Sequence, residues 1–294
     1  TPITNGDIAW AVKQLDEGIR KKGLQTKIVI PEAGQLDYLY QKNTNRSATT
    51  QDNQIEQFFH AESPAYLGNL ASVEKVVAGH SYFTTSPSSQ LIQKRQDLQL
   101  ETAKHGVNFW QSEYCILGDN AGEIRGNGVD LGMKTALYVA KVIHADLVYA
   151  QASSWSWWLS VSANDYKDGL IYVMNGGQKG ENDANKYDAG IFDSKTLWAF
   201  GNYARFVRPG MKRFEVRVDR ANTLVSGYQT NEQTVLVLVN LGDAFDLKIP
   251  SLGKRQSMMS YVTSESENLA AHRVRGNQVS LPRESVVTLV YENP

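Results

Sequence analysis

The chain has 294 residues, of which 41% are hydrophobic and 21% are charged, and its formal net charge is −1. This composition is typical of a globular protein with a sizeable core, and the near-zero charge gives no electrostatic case for binding nucleic acid or an anionic membrane. No apolar run approaches the ~20 residues of a membrane span. The single cysteine, Cys115, excludes an internal disulfide and argues against a cysteine-based metal site. We therefore expect neither a metal nor another cofactor.

The chain up to residue 208 alternates predicted helices with predicted strands, whose bounds follow from apolar periodicity, capping residues and β-branched runs. In chain order they are a helix over 7–22, a strand over 26–32, a polar loop over 41–54, a weaker helix over 53–73, a strand over 73–80, a helix over 88–105, a strand over 107–113, a helix over 129–144, a strand over 145–155, a long loop over 175–190 and a helix over 193–207. Strands separated by helices should run parallel, which fits an open sheet or a (β/α)8 barrel.

Beyond residue 211 the pattern changes to short alternating or β-branched runs separated by turn residues, beginning with 214–218 and ending with 285–291. Such a series predicts an antiparallel β-sandwich. We therefore expect two domains, an α/β domain over 1–210 and an all-β domain over 211–294.

Side chains that could take part in catalysis or sugar binding follow the predicted strands of the first domain. Each strand ends beside at least one of them: Glu32 in the first, His80 with Tyr82 in the second, Glu113 with Tyr114 in the third, and Trp155, Trp157 and Trp158 in the fourth. In a (β/α)8 barrel the carboxyl ends of the strands share one rim, where the reactive groups lie. Aromatic faces stack on the apolar faces of sugars, and carboxylates carry out glycoside hydrolysis, so this rim is a candidate saccharide site.

Five motifs in this order resemble glycoside hydrolase family 30. They are Gly-His-Ser-Tyr at 79–82, Trp-Gln-Ser-Glu-Tyr-Cys at 110–115, Ala-Ser-Ser-Trp-Ser-Trp-Trp-Leu at 152–159, the run 198–210 that enters the β domain, and Ser-Val-Val-Thr-Leu-Val at 285–290. The resemblance extends from about residue 7 to the end of the chain. Within the family, residues 26–40 look most like the bacterial branch with endo-β-1,6-galactanase-type members.

The resemblance implies that Glu113 is the nucleophile of a retaining β-glycosidase acting on a polysaccharide or oligosaccharide. His80, Tyr82 and Trp158 match positions that line the sugar subsite, and Trp155 matches a supporting tryptophan. It also implies a secreted or periplasmic protein, although the first residues show no signal-peptide pattern. The expected partner is a carbohydrate, with no nucleic acid and no membrane.

The chain departs from the family pattern at the acid/base glutamate, which in the family follows an asparagine at the end of the fourth barrel strand. No Asn-Glu pair precedes Glu32, and Glu32 itself lies one strand too late. The match implies that this chain carries strands five to eight, the C-terminal half of a (β/α)8 barrel, and lacks the acid/base. Since a half-barrel would expose two strand edges, we expect the chain to pair with the missing N-terminal half or to self-associate through an edge.

Other interpretations stand beside these. Glu113 could be a structural carboxylate paired with an arginine, and His80 a hydrogen-bonded core residue. We expect Glu32 to orient a neighbour or a sugar hydroxyl, Trp157 to serve packing and Cys115 to be a small buried hydrophobe. The alternative function is a non-catalytic carbohydrate-binding protein that uses the same aromatic cleft.

Overall fold

The computed structural model describes residues 3–42, 51–175, 188–249 and 258–293. The helices are α1 Asn5–Lys21, α2 Asp37–Tyr40, α3 Gln54–Phe59, α4 Ser88–His105, α5 Met133–Val148 and α6 Lys195–Ala204. The strands are β1 Ile28–Ala33, β2 Val73–His80, β3 Asn108–Glu113, β4 Asp119–Asn120, β5 Ile124–Arg125, β6 Ser154–Trp155, β7 Val161–Ser162, β8 Ile171–Met174, β9 Gly190–Asp193, β10 Lys212–Phe214, β11 Thr223–Gln229, β12 Gln233–Asn240, β13 Phe245–Lys248, β14 Met258–Thr263, β15 Ala270–Val274, β16 Gln278–Leu281 and β17 Ser285–Glu292. Within the described ranges, no helix has the length and apolar character to cross a membrane.

The chain divides into two compact units. Unit 1 comprises Thr1–Arg125 with Ala145–Trp158, and unit 2 comprises Gly126–His144 with Leu159–Pro294. The predicted boundary at 210/211 does not coincide with this division. One physical reason is that α6 packs against β14 and β17 of unit 2 although it precedes residue 211.

Unit 1 is built on a four-stranded parallel sheet in the order β1-β2-β3-β6. Ile30, Val77 and Phe109 stand in register on adjacent strands, and all three are buried. Phe109 and Val77 pack in one apolar cluster with residues of α2, α3 and α4, while Ile30 packs with α1. Burial of this face holds the helices to the sheet and fixes the strand ends that carry the candidate site.

Unit 2 is dominated by a six-stranded antiparallel sheet in the order β10-β11-β12-β17-β14-β15. The two-stranded sheet β13-β16 packs its apolar side chains, among them Val279 and Leu281, into the same core as Leu289 of β17. On α6, the Asn202 side-chain amide donates to Thr288 Oγ1 at 3.0 Å. Two antiparallel sheets sharing one core form the sandwich-like layering that the sequence predicts.

Several predicted elements are confirmed. The strand over 73–80 and the helix over 88–105 have the predicted bounds, and α4 ends where Gly106 adopts a left-handed φ of 63°. The helix predicted over 7–22 starts two residues earlier, since Thr4 caps it: Thr4 Oγ1 accepts from the Asp7 amide, and the Asp7 carboxylate accepts from the Thr4 amide.

Other predictions are wrong in extent. The fourth strand, predicted over 145–155, is reduced to Ser154–Trp155, because α5 continues to Val148 and Asp146 lies inside it, paired with Arg95. The helix predicted over 53–73 is confined to Gln54–Phe59, and the strand predicted at 214–218 is displaced to Lys212–Phe214. The loops predicted over 41–54 and 175–190 lie largely outside the described residues.

Candidate active site

The carboxyl ends of the four parallel strands in unit 1 bring together the side chains that the sequence singled out. Glu32 lies near the end of β1, His80 ends β2, Glu113 ends β3 and Trp155 ends β6. In the pairing of β2 with β3, His80 stands opposite Glu113. The expected convergence of polar and aromatic groups on one sheet edge is therefore present in unit 1.

Two β-bulges shape this edge. Pro31 pairs with Ala78 and Ala33 pairs with Gly79, so Glu32 is an extra residue in β1, and its φ of 63° is left-handed. In the same way Ser112 is the extra residue of β3, between Gln111 and Glu113. A bulge breaks the strict alternation of a strand and re-aims the side chains beside it. A left-handed non-glycine residue costs ~1–3 kcal/mol, a strain that the surrounding contacts must offset.

Glu113 sits in a polar but partly open environment. Its Oε1 accepts a hydrogen bond of 3.0 Å from the Tyr82 hydroxyl, and His80 Nδ1 lies 3.8 Å from the same oxygen. The side chain is 29% exposed. Among the described residues no lysine or arginine forms an ion pair with Glu113. The alternative that Glu113 is a structural carboxylate paired with an arginine therefore finds no arginine partner among the described residues.

Glu32 is held by its neighbours. Its Oε1 accepts from His80 Nε2 at 2.8 Å and also from the Ser112 hydroxyl. The hydrogen bond from His80 is the largest influence on this carboxyl and lowers the pKa of Glu32, against the opposing effect of its partial burial. A carboxyl with a lowered pKa is ionised near neutral pH and is a poor proton donor.

The tyrosines of the site are buried. Tyr82 is 7% exposed, and burial raises the pKa of its hydroxyl well above the ordinary value, so it stays a proton-bearing donor to Glu113. Tyr114 is 1% exposed, with its ring packed against Tyr82, Trp155 and Trp157 at centroid distances of 5.8, 6.2 and 6.1 Å. Tyr114 was predicted from the sequence as a substrate-binding residue, and in this structure its ring is covered by these aromatic neighbours.

The tryptophans differ in exposure and contacts. Trp158 is 46% exposed, and its backbone amide donates to the Tyr114 carbonyl at 2.9 Å. Trp155 stacks on Trp157 at 6.3 Å between centroids, and Trp155 Nε1 donates to Asp146 Oδ2 at 2.8 Å. Of the three tryptophans, only Trp158 has an exposed side chain. Trp155 is held beside the site by its hydrogen bond to Asp146 and its contact with Trp157.

Sequence reasoning missed the buried ion pair behind Trp155. Arg95 Nε lies 2.8 Å from Asp146 Oδ1, and both side chains are fully buried. Asp146 also accepts from the Ser81 hydroxyl at 2.9 Å. The sequence signal for this pair was Asp146, a lone carboxylate in the apolar helical stretch 135–148, because such a residue is rarely buried without a partner.

A second group of ionisable residues lies at the other end of β3. Ligand atoms of Glu56, Glu101 and His105 come within 4.8 Å of one another, and among the described residues this is the one such group that could hold a metal. Lys104 Nζ lies 2.8 Å from Glu56 and 3.2 Å from Glu101, so its ammonium already supplies positive charge to both carboxylates. We interpret the group as an ion-pair network joining α3 to α4.

Known structures resemble this chain over nearly its whole length. A conserved exported protein from Bacteroides fragilis is 29% identical with a TM-score of 0.85, over 98% of this chain and 60% of that one. A family 30 endoxylanase from Clostridium papyrosolvens is 20% identical with a TM-score of 0.64, over 99% and 61%. The catalytic domain of family 30 xylanase C from Talaromyces cellulolyticus is 19% identical with a TM-score of 0.64, over 99% and 58%. These structures share the fold of this chain, which spans about 60% of their length.

The family follows from the sequence of the first part of the chain. Residues 1–172 match the model of O-glycosyl hydrolase family 30, which is more than half of the 294 residues. The chain belongs to this family. The resemblance noted in the sequence is thereby confirmed at the level of the family, while the match does not single out the galactanase branch.

Proposed function

We propose that the chain carries the nucleophile of a retaining β-glycosidase and that this nucleophile is Glu113. One observation carries the proposal: Glu113 is partly exposed at the strand edge, its Oε1 accepts from Tyr82, and His80 Nδ1 lies 3.8 Å from the same oxygen. A carboxylate without a lysine or arginine partner keeps its oxygen lone pairs available for attack on carbon. Membership of family 30 supports the same role.

In the proposed reaction a Glu113 oxygen attacks the anomeric carbon and the glycosidic C–O bond breaks, giving a glycosyl-enzyme ester. The leaving oxygen takes a proton from a second carboxylic acid, which in retaining enzymes lies about 5–5.5 Å from the nucleophile. That second group then activates the water that cleaves the ester. The Tyr82 hydroxyl holds Glu113, and His80 lies between Glu113 and Glu32.

Glu32 does not suit the role of proton donor. Its lowered pKa keeps it ionised, and its Oε1 already accepts from His80 and Ser112. We propose instead that Glu32 orients His80, and that the acid/base lies outside these 294 residues.

The architecture proposed for the chain is half of a (β/α)8 barrel, strands five to eight, followed by the β-sandwich over 211–294. The four-stranded sheet ends in two edges, β1 and β6, and β3 exposes Asn108 and Trp110 on one face while it buries Phe109 and Gln111 on the other. Parallel sheets covered on both faces bury both sets of side chains. An open face of this kind is what four further strands would cover.

The proposed substrate is a β-linked polysaccharide or oligosaccharide, with β-1,6-galactan as the first candidate and xylan as the comparison. The motif over 26–40 favours galactan. Secretion is supported by the Bacteroides fragilis protein, which is described as exported.

The proposal can be tested on the 294-residue chain with substrates that need no acid. We expect negligible turnover of β-1,6-galactan and xylan, and slow reaction of 2,4-dinitrophenyl β-D-galactoside or β-D-xyloside, whose phenolate leaves unaided. Azide should accelerate this reaction and form a β-glycosyl azide, because azide displaces the ester without needing a base. Robust galactan hydrolysis that Glu32→Gln abolishes would instead make Glu32 the acid.

A non-catalytic carbohydrate-binding function is the second candidate, favoured by the exposed face of Trp158. It predicts saturable binding of oligosaccharides with no reaction of the dinitrophenyl glycosides, even when the missing barrel half is supplied in trans. Formation of a glycosyl azide by the chain would eliminate it.

A further inference from the structure

The segment 81–85 that follows β2 has one exposed residue between two buried pairs. Ser81, Tyr82, Thr84 and Thr85 are between 0% and 7% exposed, whereas the aromatic side chain of Phe83 is 59% exposed. Burying a phenylalanine stabilises a fold, and unit 1 gains little from this ring. Within unit 1 the ring therefore adds little to the packing.

The backbone at Phe83 is also unusual. Its φ is 58°, in the left-handed region that a bulky aromatic residue rarely adopts. Such conformations persist where surrounding contacts impose them, and they cluster at ligand sites. Here the conformation has the effect of turning a single side chain outward.

The contacts that impose it lie on both sides of Phe83. Before it, the Ser81 hydroxyl donates to Asp146 at 2.9 Å, and the Thr84 hydroxyl closes the turn by donating to the Ser81 carbonyl at 2.8 Å. After it, Arg95 Nη1 donates to the Thr84 carbonyl. The buried Arg95–Asp146 ion pair thus fixes both flanks, and the turn cannot relax without breaking it.

Phe83 directly follows Tyr82, the hydrogen-bond partner of the proposed nucleophile Glu113. The preceding residue, Tyr82, donates to Glu113, and the rings of Tyr82 and Phe83 have centroids 6.3 Å apart. Phe83 is thus one aromatic ring removed from the hydroxyl that holds Glu113.

We propose that Phe83 is a stacking platform for a second sugar ring of the same saccharide chain, beside the ring that Glu113 attacks. The proposal rests on the proposed glycosidase function and adds a subsite to it. Its ligand class is a pyranose unit that presents its apolar C–H face to the aromatic ring. A rigid platform of this kind loses little conformational entropy on binding.

The test compares ligands of different length on the 294-residue chain. The affinity for β-1,6-galactohexaose and for β-1,4-xylohexaose is measured by titration calorimetry, and the reaction of Glu113 with the monosaccharide 2-deoxy-2-fluoro-β-D-galactosyl fluoride is followed by intact mass. For the hexasaccharide that binds, we expect Phe83→Ala to weaken affinity by about three- to tenfold more than it slows the monosaccharide reaction. Phe83→Trp should restore hexasaccharide affinity.

Trp10→Ala is the matched control, because Trp10 on α1 is an exposed aromatic of the same unit, 68% exposed. It should change neither readout. Unaltered hexasaccharide affinity in Phe83→Ala, or an equal loss for both ligands, would contradict the subsite while leaving the proposed function intact. Failure of the unsubstituted chain to bind either hexasaccharide and to react at Glu113 would contradict both.

Discussion

The parallel sheet of unit 1 and the six-stranded antiparallel sheet of unit 2 differ in regularity. Strand β12 pairs with β17 through eight consecutive residues, from Gln233 opposite Glu292 to Asn240 opposite Ser285, without a register shift. In unit 1 the β1–β2 pairing shifts register twice, between Ile28 and Ile30 and at Glu32, and the β2–β3 pairing shifts once, at Ser112. The regular sheet serves a continuous apolar core, whereas the irregular one ends in polar, partly exposed side chains.

The two sheets also differ in where their residues with a positive φ lie. Of the described positive-φ residues of the candidate site, Glu32 lies near the end of β1 and Phe83 follows β2, and each is held by hydrogen bonds to or around it. Around the six-stranded sheet, the positive-φ residues Asn222, Leu269 and Glu284 lie outside the strands, directly before β11, β15 and β17. We therefore expect substitutions at the strand ends of unit 1 to change reactivity more than stability, and core substitutions in unit 2 to do the reverse.

The largest expected effect is at Glu113. Glu113→Gln keeps an oxygen that can accept from Tyr82 but removes the nucleophilic carboxylate, so reaction with 2,4-dinitrophenyl β-glycosides should fall more than about 1,000-fold. The thermal midpoint should change little. Glu17→Gln, at an exposed position on α1, is the matched control and should retain the full rate. Full activity of the Glu113→Gln variant would show that Glu113 is not the nucleophile.

In the regular sheet the effect should appear in stability. Leu289 of β17 is fully buried in the sandwich core, and Leu289→Ala should lower the free energy of unfolding by about 2–5 kcal/mol through lost burial and a cavity. Denaturant titration measures this loss. Ile191→Ala, at a 76% exposed position of the same unit, should cost far less. Equal losses in the two variants would show that the core does not carry the stability assigned to it.

Acid should destabilise unit 2 through His144. Burial is the main reason that the pKa of His144 falls from 6.5 to about 4, with the nearby Arg213 adding to it. Since the unfolded chain binds this proton near pH 6.5, stability is lost as the pH falls from about 6.5 to 4, by up to about 3 kcal/mol. His144→Phe should flatten this part of the stability–pH curve relative to the unsubstituted chain. Parallel curves for the two proteins would contradict the assignment.

The smallest expected effect isolates the strain at Phe83. Phe83→Gly and Phe83→Ala both remove the ring, but glycine adopts a left-handed φ freely and alanine does not. The glycine variant should therefore be the more stable of the two by about 1 kcal/mol, measured by thermal unfolding. An alanine variant of equal or greater stability would mean that the backbone has relaxed out of the left-handed region.

The sequence predicted best the elements with clear ends. The bounds of α4 follow from polar residues at its start and Gly106 at its end, and β2 is a β-branched run that ends at His80. The convergence of Glu32, His80 and Glu113 followed from one rule, that parallel strands meet at the same sheet edge.

What could not be predicted depends on contacts distant in sequence. The stretch 145–155 has the composition of a strand, yet Asp146 is drawn into α5 by its ion pair with Arg95. The bulges at Glu32 and Ser112 leave the residue pattern unchanged, since an extra residue is visible only against the partner strand. The burial of Tyr114 likewise depends on three aromatic neighbours that lie elsewhere in the chain.

The most direct measurement is the site of covalent capture. The 294-residue chain is incubated with a 2-deoxy-2-fluoro-β-glycosyl fluoride, whose fluoride leaves without acid assistance, and the adduct is mapped by peptide mass spectrometry. We expect a single glycosyl ester on the peptide that contains Glu113, absent from Glu113→Gln. An adduct on Glu32, or none on a chain that binds the sugar, would contradict this expectation.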